Sequence, residues 1–451
     1  MNKTNFYVDW ENNRVFLGER LFYMSEDGPQ TILENLITKE KALLRKYIEP
    51  FPELLDRKKA IITSLYEKTF PDGVSTEETD REIQLMDDLG RNSVCKHIIY
   101  PYDYFQEEGP NGSFYTVTEL PEEDFFEKYI TLEKIITEDT LPLYHKILAA
   151  LNLVELLTQV QSYFGISLQS LQPEDIYVKQ ETGEVYLMIE RWLSASKGKA
   201  YEPGFGFPPE WNREACADTA DDKVISYFLA FAVFRLLCGD DPFDGSETLV
   251  EFPCLTKEAI RSIHDGSHKF IFAQRKNGAC AYIGQAAAMR WRKLPAFLRR
   301  QFMKAFTEGI EYPHTRISSG EWLKTIRQLR DCVVFVNNQF RMCDPEVSNK
   351  VLFLRMNEYL IPIWNKKAIY WYHAEIDVAR TQNGIVAGIN AEGYLVNCSQ
   401  ESFTVTMQDK AFVLGSGEII KPEIGMEITF SGNVRAQVVS GENGLEWNGN
   451  A

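Results

Sequence analysis

The spacing of apolar residues changes twice along this chain, and that limits the folds open to it. From about residue 45 to 120, strand-like and helical patterns alternate. From about 125 to 330 the period is helical. Beyond Asp344-Pro345 it becomes that of short strands divided by Gly, Asn and Pro turns. A chain of 451 residues also exceeds the usual size of one hydrophobic core, so several domains are expected. The boundaries predicted are 1–44, an extension with short strands; 45–121, a small mixed lobe; 122–344, a helical lobe; and 345–451, a β-sandwich. The fold class expected is α+β.

Charge narrows the function classes. Lys and Arg number 48 and Asp and Glu 65, a net charge of −17. An acidic surface repels phosphate backbones, so neither nucleic acid nor an anionic membrane is an expected partner. The longest apolar run, Val224 to Leu237, is too short to span a bilayer and contains Arg235. No membrane insertion is expected, and eight scattered cysteines without a C-x-x-C pair read as free thiols in a reducing, cytoplasmic setting.

Local patterns give the elements. Phe6-Tyr-Val-Asp-Trp10 and Arg14-Val-Phe-Leu17 flank the turn-type Glu11-Asn-Asn13 as a strand pair. Lys59-Ala-Ile-Ile-Thr-Ser-Leu-Tyr66 reads as a strand, and Thr79–Leu89 as an amphipathic helix. Ile98–Phe105 and Gly112–Glu119 read as two strands. Helices are predicted over 141–163, 222–238, 294–309 and 318–331, the second apolar on every side and therefore buried. Asp265-Gly-Ser267 between His264 and His268 places that pair on a surface loop rather than a metal-binding helix face. Cys332 and Cys343 read as core thiols. The cluster Met289-Arg-Trp-Arg-Lys293 with Arg299-Arg300 reads as a solvated helix face, or else as a dock for an acidic partner.

One stretch carries a family resemblance. Ile166-Ser-Leu-Gln-Ser-Leu-Gln-Pro-Glu-Asp-Ile-Tyr-Val178, followed by Gly183-Glu-Val-Tyr-Leu-Met-Ile-Glu190, resembles the catalytic loop and metal-binding strand of the protein kinases. The family's His-Arg-Asp is filled here by Leu168, Gln169 and Ser170, and its Lys by Gln172. Pro173-Glu174 is kept. Asp175 stands for the Asn, and Glu190-Arg-Trp192 for Asp-Phe-Gly. Thr118 and Glu119, in Phe114-Tyr-Thr-Val-Thr-Glu-Leu-Pro121, resemble the hinge that holds adenine. Glu82 resembles the small-lobe helix Glu that pairs with a strand Lys. Spacing puts that Lys at Thr63; Lys46 is the alternative under another threading. The expected Gly-rich loop, Glu49-Pro-Phe-Pro-Glu-Leu-Leu-Asp56, has no glycine.

The large lobe keeps family scaffold motifs. Gly204-Phe-Gly-Phe-Pro-Pro-Glu210 resembles the Ala-Pro-Glu end of the activation segment. Phe234–Phe243 resembles the exit of the buried helix, and Arg316-Ile-Ser-Ser-Gly-Glu-Trp322 the start of a late helix. The resemblance implies a structural ion pair between Glu210 and Arg316. It implies a two-lobed fold whose catalytic base, phosphate-clamp Lys and glycine flap are missing, hence no catalytic residue. Loss of a positioned base alone costs about 10²–10⁴ in rate.

The expectation is a bacterial-type pseudokinase that acts as a protein-binding scaffold or signalling regulator without a cofactor. Protein partners would dock in the cleft or on the β domain. The alternative is an atypical active Ser/Thr kinase or nucleotidyl-transferring enzyme. It would bind ATP with Mg²⁺ or Mn²⁺ through Asp175 and Glu190, carboxylates suited to hard cations. Against this, the same two acids lock the loop through backbone hydrogen bonds or face solvent.

The C-terminal sandwich resembles forkhead-associated domains. Tyr372-His-Ala-Glu-Ile376 is similar to that family's Ser-Arg-x-His-Ala-x-Ile, and Leu395-Val-Asn-Cys-Ser399 to its Asn-bearing loop. Tyr370 and Trp371 stand where Ser-Arg would be, and no Gly-Arg precedes them. The resemblance therefore implies protein binding without a phosphate anchor; a sandwich that simply packs on the helical lobe stands equally open.

Overall fold

The computed structural model describes residues 6–9, 14–17, 20–27, 30–35, 41–47, 97–99, 103–106, 114–122, 124–164, 173–188, 222–251, 256, 259, 262–264, 266–274, 280–282, 284–336, 339–345, 351–376, 384–408, 410–430 and 434–440. Helix and strand are mixed in an α+β arrangement. The chain divides into two units. One comprises residues 1–141, 152–232 and 252–267; the other, 142–151, 233–251 and 268–451.

In the first unit, strands β1 (Phe6–Asp9), β2 (Arg14–Leu17), β3 (Arg20–Asp27), β4 (Gln30–Asn35) and β5 (Lys41–Tyr47) form an antiparallel meander. The predicted pairing of 6–9 with 14–17 is in register, Phe6 opposite Leu17 and Asp9 opposite Arg14. The meander does not stop at residue 44. β5 pairs with β8 (Phe114–Glu119), and β8 with β7 (Asp103–Gln106), giving a seven-stranded sheet. The boundary expected between 44 and 45 thus falls inside a strand, because no free edge separates the extension from the small lobe. The predicted strand at 59–66 and helix at 79–89 lie outside the described residues.

Ile98–Phe105 is not one strand. β6 (Ile98–Ile99) runs parallel to β11 (Val185–Met188), whereas β7 belongs to the large sheet. Pro101 stands between them and has no N–H to give a ladder. β11 forms a hairpin with β10 (Ile176–Lys179), and β9 (Tyr129–Thr131) completes this four-stranded sheet. Around it lie α1 (Phe125–Lys128) and α2 (Leu132–Glu138). Phe125, Tyr129, Tyr177 and Tyr186 form its aromatic core, with Phe125 stacked on Tyr129 at 4.5 Å.

Both long helices are where the periodicity puts them: α3 (Leu143–Phe164) and α4 (Asp222–Cys238). From Val224 to Cys238 only Arg235 escapes full burial. Within the second unit lie α5 (Ser246–Glu251), α6 (Gln285–Lys293), α7 (Ala296–Phe306), α8 (Glu308–Glu311) and α9 (Ser319–Asp331). The helix expected over 294–309 is broken at Thr307, whose φ of −123° and ψ of −83° are not helical. α9 begins with a reciprocal cap. The Ser318 hydroxyl accepts from Glu321 N–H at 3.2 Å, and the Glu321 carboxylate accepts from Ser318 N–H at 2.6 Å.

The helical core of this unit is aromatic. Phe234 meets Phe270, Phe302 and Phe306 edge-on, at 5.3 to 5.6 Å. Trp291 stacks on Phe272 at 4.6 Å, and Trp322 packs on Phe302 at 5.6 Å. Arg290 of the basic cluster is no free surface charge. Its Nη1 donates to the carbonyl of Cys238 at 2.9 Å, sealing the end of α4. That end turns through Gly239, at φ +68°, where an added Cβ would lie 2.3 Å from Arg290 Nη1. Gly239→Ala is therefore expected to cost about 1–3 kcal/mol, from left-handed strain and displacement of the guanidinium; urea unfolding measures it.

The C-terminal part is a two-sheet sandwich. One sheet orders β15 (Tyr359–Pro362), β14 (Leu352–Met356), β23 (Arg435–Ser440), β22 (Glu427–Thr429), β19 (Phe403–Met407) and β20 (Lys410–Leu414). The other orders β16 (Ala368–Tyr370), β17 (Ile385–Ile389), β18 (Leu395–Asn397) and β21 (Ile419–Ile420). Leu354, Met356, Val405, Ile428 and Val438 from the first meet Ile369, Val386, Ile389 and Leu395 from the second in one core. Period-2 alternation turns Phe353 and Val439 the other way. There they pack with Val334 and Cys343 of the hairpin β12 (Val333–Val336) and β13 (Gln339–Met342). The sandwich is thus joined to the helical part by a second apolar cluster, across the boundary expected at 344 and 345. Cys332 and Cys343 are buried, as their flanking of the hairpin suggested, and burial pushes the Cys332 thiol far up.

Candidate functional site

Two places were marked by the sequence: the residues expected to line a kinase-like cleft and the sandwich segments compared with recognition loops. Of the cleft residues, Glu82, Leu168, Gln169, Ser170, Gln172, Glu190 and Glu210 lie outside the described residues. Thr118 and Glu119 end β8, opposite Leu43 and Ala42 of β5. Asp175 ends a 3-10 turn, Pro173–Asp175, and leads straight into β10; it is 2% exposed and has interaction partners. Arg316 is also buried, and its Nε donates to the carbonyl of Gly309 at 2.7 Å. Among the described residues no group of three His, Cys, Asp or Glu could hold a metal ion.

The segment following β8 is fixed by a charged network the sequence did not announce. Glu122 accepts from Lys128 Nζ and Lys179 Nζ, each at 2.8 Å, and from the Tyr129 hydroxyl at 3.0 Å. The same hydroxyl lies 3.2 Å from Glu184, which meets His97 Nε2 at 3.2 Å. Lys179 and Glu184 flank the turn of the β10–β11 hairpin. Asn152 holds that turn from outside, donating to Gly183 O at 2.7 Å. The site after the predicted hinge strand is thereby tied to the hairpin that follows Asp175.

Lys128, then Lys179 and Tyr129, hold the Glu122 carboxyl down to about 2. A depressed acid stabilises the fold above its ordinary value and loses that contribution as pH falls toward the folded value. Glu122→Gln should therefore lower stability at pH 7, by no more than about 1 kcal/mol because the ion pairs are part-exposed, and its difference from the unsubstituted chain should vanish as pH falls from about 4.5 to 2; fluorescence-detected unfolding across that range checks this.

In the sandwich, the stretch compared with a recognition loop is a short helix, α10 (Trp371–Ala374), closed by Glu375 at φ +53°. His373 at its centre is fully buried. Its Nδ1 accepts from the backbone N–H of Tyr370 at 3.0 Å, so Nε2 carries the proton directed at Asp331 Oδ2, 2.7 Å away. Asn397 is equally engaged. Its amide donates to Glu401 O at 2.7 Å and Leu414 O at 3.0 Å, and its Oδ1 accepts from Ser399 N–H and hydroxyl, both at 2.9 Å. Both residues shape loops and have no capacity left for a ligand.

Asp331 belongs to α9. Around it the sandwich meets that helix through polar groups. Lys367 Nζ donates to Val333 O at 2.8 Å and Arg330 O at 3.1 Å. The Gln328 side chain donates to Leu360 O at 3.0 Å and accepts Leu360 N–H at 2.9 Å, meeting both backbone polar groups of that residue. The Arg330 guanidinium lies over the Tyr370 ring at 3.7 Å, and Arg327 over Tyr372 at 4.3 Å. Trp364 Nε1 donates to Phe335 O at 3.2 Å. Burial pushes the Asp331 carboxyl up, but His373, Arg330 and Lys367 outweigh it and hold the group below its usual value. Burial pulls the Lys367 ammonium down.

The histidine pair lies in a turn and bends rather than on a helix face, as expected, but His264 is not at the surface. His264 is buried and packs edge-on against Phe231 at 5.3 Å. His268 is half-buried, and its Nε2 lies 3.9 Å from a Glu251 oxygen. Aromatic packing of His264 decides this, a contact invisible in the local turn chemistry. The residues that sequence reasoning missed are Gln328, Arg330, Asp331 and Lys367. One signal was available: an Asp in the last turn of a predicted helix, where the dipole disfavours an anion.

No family model and no curated protein matches the chain.

Proposed function

We propose that this chain is a kinase-like protein that recognises partners instead of transferring phosphate. The observation carrying this reading is the loop entering the β10–β11 hairpin. It keeps Pro173-Glu174 ahead of a buried Asp175, while Ser170 and Gln172 replace the base and the cation that phosphoryl transfer requires. Ser170 cannot take a hydroxyl proton near neutral pH. Supporting it are an antiparallel sheet ending in the hinge-like β8, then a helical region with a buried α4, in the order that the resemblance implies. Among the described residues no helix is long and apolar enough to cross a membrane. The partner of this reading is a protein. Radiolabel transfer from ATP should give no signal above that of Asp175→Ala; label that this variant abolishes would overturn the proposal.

One observation favours a second reading, retained nucleotide binding without transfer. β5 is the strand paired with β8, and Lys46 lies in it opposite Tyr115. This supports the threading in which Lys46, rather than Thr63, takes the strand-Lys position. If nucleotide binds tenfold below its added concentration, it stabilises by about 1.4 kcal/mol and raises Tm by roughly 3–6 °C. A thermal-shift titration with ATP and Mg²⁺ or Mn²⁺ decides: a shift lost in Lys46→Met supports it, and no shift leaves the scaffold alone.

A further inference from the structure

Asp331 breaks a local rule. It is the last residue of α9, at the negative end of the helix dipole, and it is fully buried. Nothing in helix propensity favours a carboxylate there. The groups that compensate it all come from the sandwich or lie beside it. Lys367 supplies an ammonium to the Arg330 carbonyl at the helix end and to the Val333 carbonyl just beyond it, His373 supplies an N–H to the carboxylate, and Gln328 on the preceding turn bonds the backbone N–H and carbonyl of Leu360 in β15. The Tyr370 face takes the guanidinium next to the acid. A pair of surfaces merely in apolar contact would need none of these.

We infer that the sandwich carries a socket for the acidic C-terminal end of an α-helix, and that α9 of the same chain fills it. The socket comprises Lys367, Tyr370, Tyr372, His373 and the backbone of Leu360. Together they meet features that sit at this helix end: the Arg330 carbonyl, the Asp331 carboxylate and the Arg330 guanidinium one residue before it. Tyr370, Tyr372 and His373 are therefore engaged in cis, while Trp371 beside them stays exposed. An external protein reaches those three only if α9 is released, and otherwise docks elsewhere. This stands whether or not the kinase-like reading does, since it uses only contacts between α9 and the sandwich.

Amide hydrogen exchange on the full chain tests it. In the native protein the Tyr370 and Ile376 amides, bonded to His373 and to Trp371 O, should exchange as slowly as those of β19. Lys367→Met keeps the apolar stem and removes both carbonyl contacts; Asp331→Asn keeps the shape and removes the charge. Each should speed exchange over 370–376 by about 100-fold while leaving 403–407 unchanged, as expected from breaking one partner of a buried pair. Lys324→Met, which removes only the exposed 3.0 Å pair with Glu358, should change neither region. The inference fails if Tyr370 exchanges like an exposed turn in the native chain. It fails equally if neither socket variant changes exchange over 370–376, or if both regions accelerate together, which would mean loss of the sandwich itself.

Discussion

His373→Ala should lower stability by about 3–5 kcal/mol, because it leaves the Asp331 carboxylate buried without its hydrogen bond. For a unit of this size that is a Tm loss of roughly 6–20 °C. The cost has two parts. The Tyr370 N–H loses its acceptor, and the carboxylate keeps only the attraction of Arg330, whose Nε lies 3.9 Å away, and of Lys367. Replacing both partners together, as Asp331→Leu with His373→Phe, should cost less than the sum of the two single changes, since the shared hydrogen bond is lost only once, while Lys367 and Arg330 then lack their acid. Equilibrium urea unfolding measures all three; a double variant as damaged as the sum of its parts would refute the account. The pH dependence has a definite sign. The Asp331 carboxyl is depressed in the folded state, so its contribution is complete above the ordinary Asp value of about 3.9 and is lost as pH falls below it. Asp331→Asn should remove that part of the acid sensitivity.

Trp322→Ala should cost about 3–5 kcal/mol by a different route. Trp322 is fully buried, and it links α9 to the Phe302 and Phe306 stack of α7. Truncation leaves a cavity in an aromatic core whose rings also hold one another, so neighbours can collapse into it only partly. Trp322→Phe should lose clearly less. The two experiments probe opposite sides of one helix. Trp322, Ile326 and Leu329 face the helical core, while Gln328 and Asp331 face the sandwich. Trp322 and Asp331 are nine residues apart, about 13 Å along the axis, so the two losses should add within about 0.5 kcal/mol.

Legibility differed by element. The hairpin at 6–17 and helices α3, α4 and α9 were readable because each depends on spacing that is local: alternation around a turn, a 3.6-residue stripe, a Ser-x-x-Glu cap. Cys332 and Cys343 are buried, in agreement with their reading as core thiols. The reading failed at His264, where burial comes from Phe231, distant in sequence. It failed at 98–105, where one apolar stretch serves two sheets. It also missed the continuity of the seven-stranded sheet, since the pairing of β5 with β8 spans some seventy residues and leaves no local mark.

The resemblances to kinase and forkhead-associated motifs rest on residue types alone, Ser170 and Gln172 above all, and need no coordinates. What those residues surround is another matter. Sequence alone determined the acidic charge, the change of apolar period along the chain and the positions of the long helices, because these follow from composition and short-range pattern. Only the tertiary structure decided that Tyr370, Tyr372 and His373 meet the end of α9. A buried Asp331 against His373 and Lys367 is a meeting of residues about forty positions apart, and its favourable energy exists only once water has been excluded from all three.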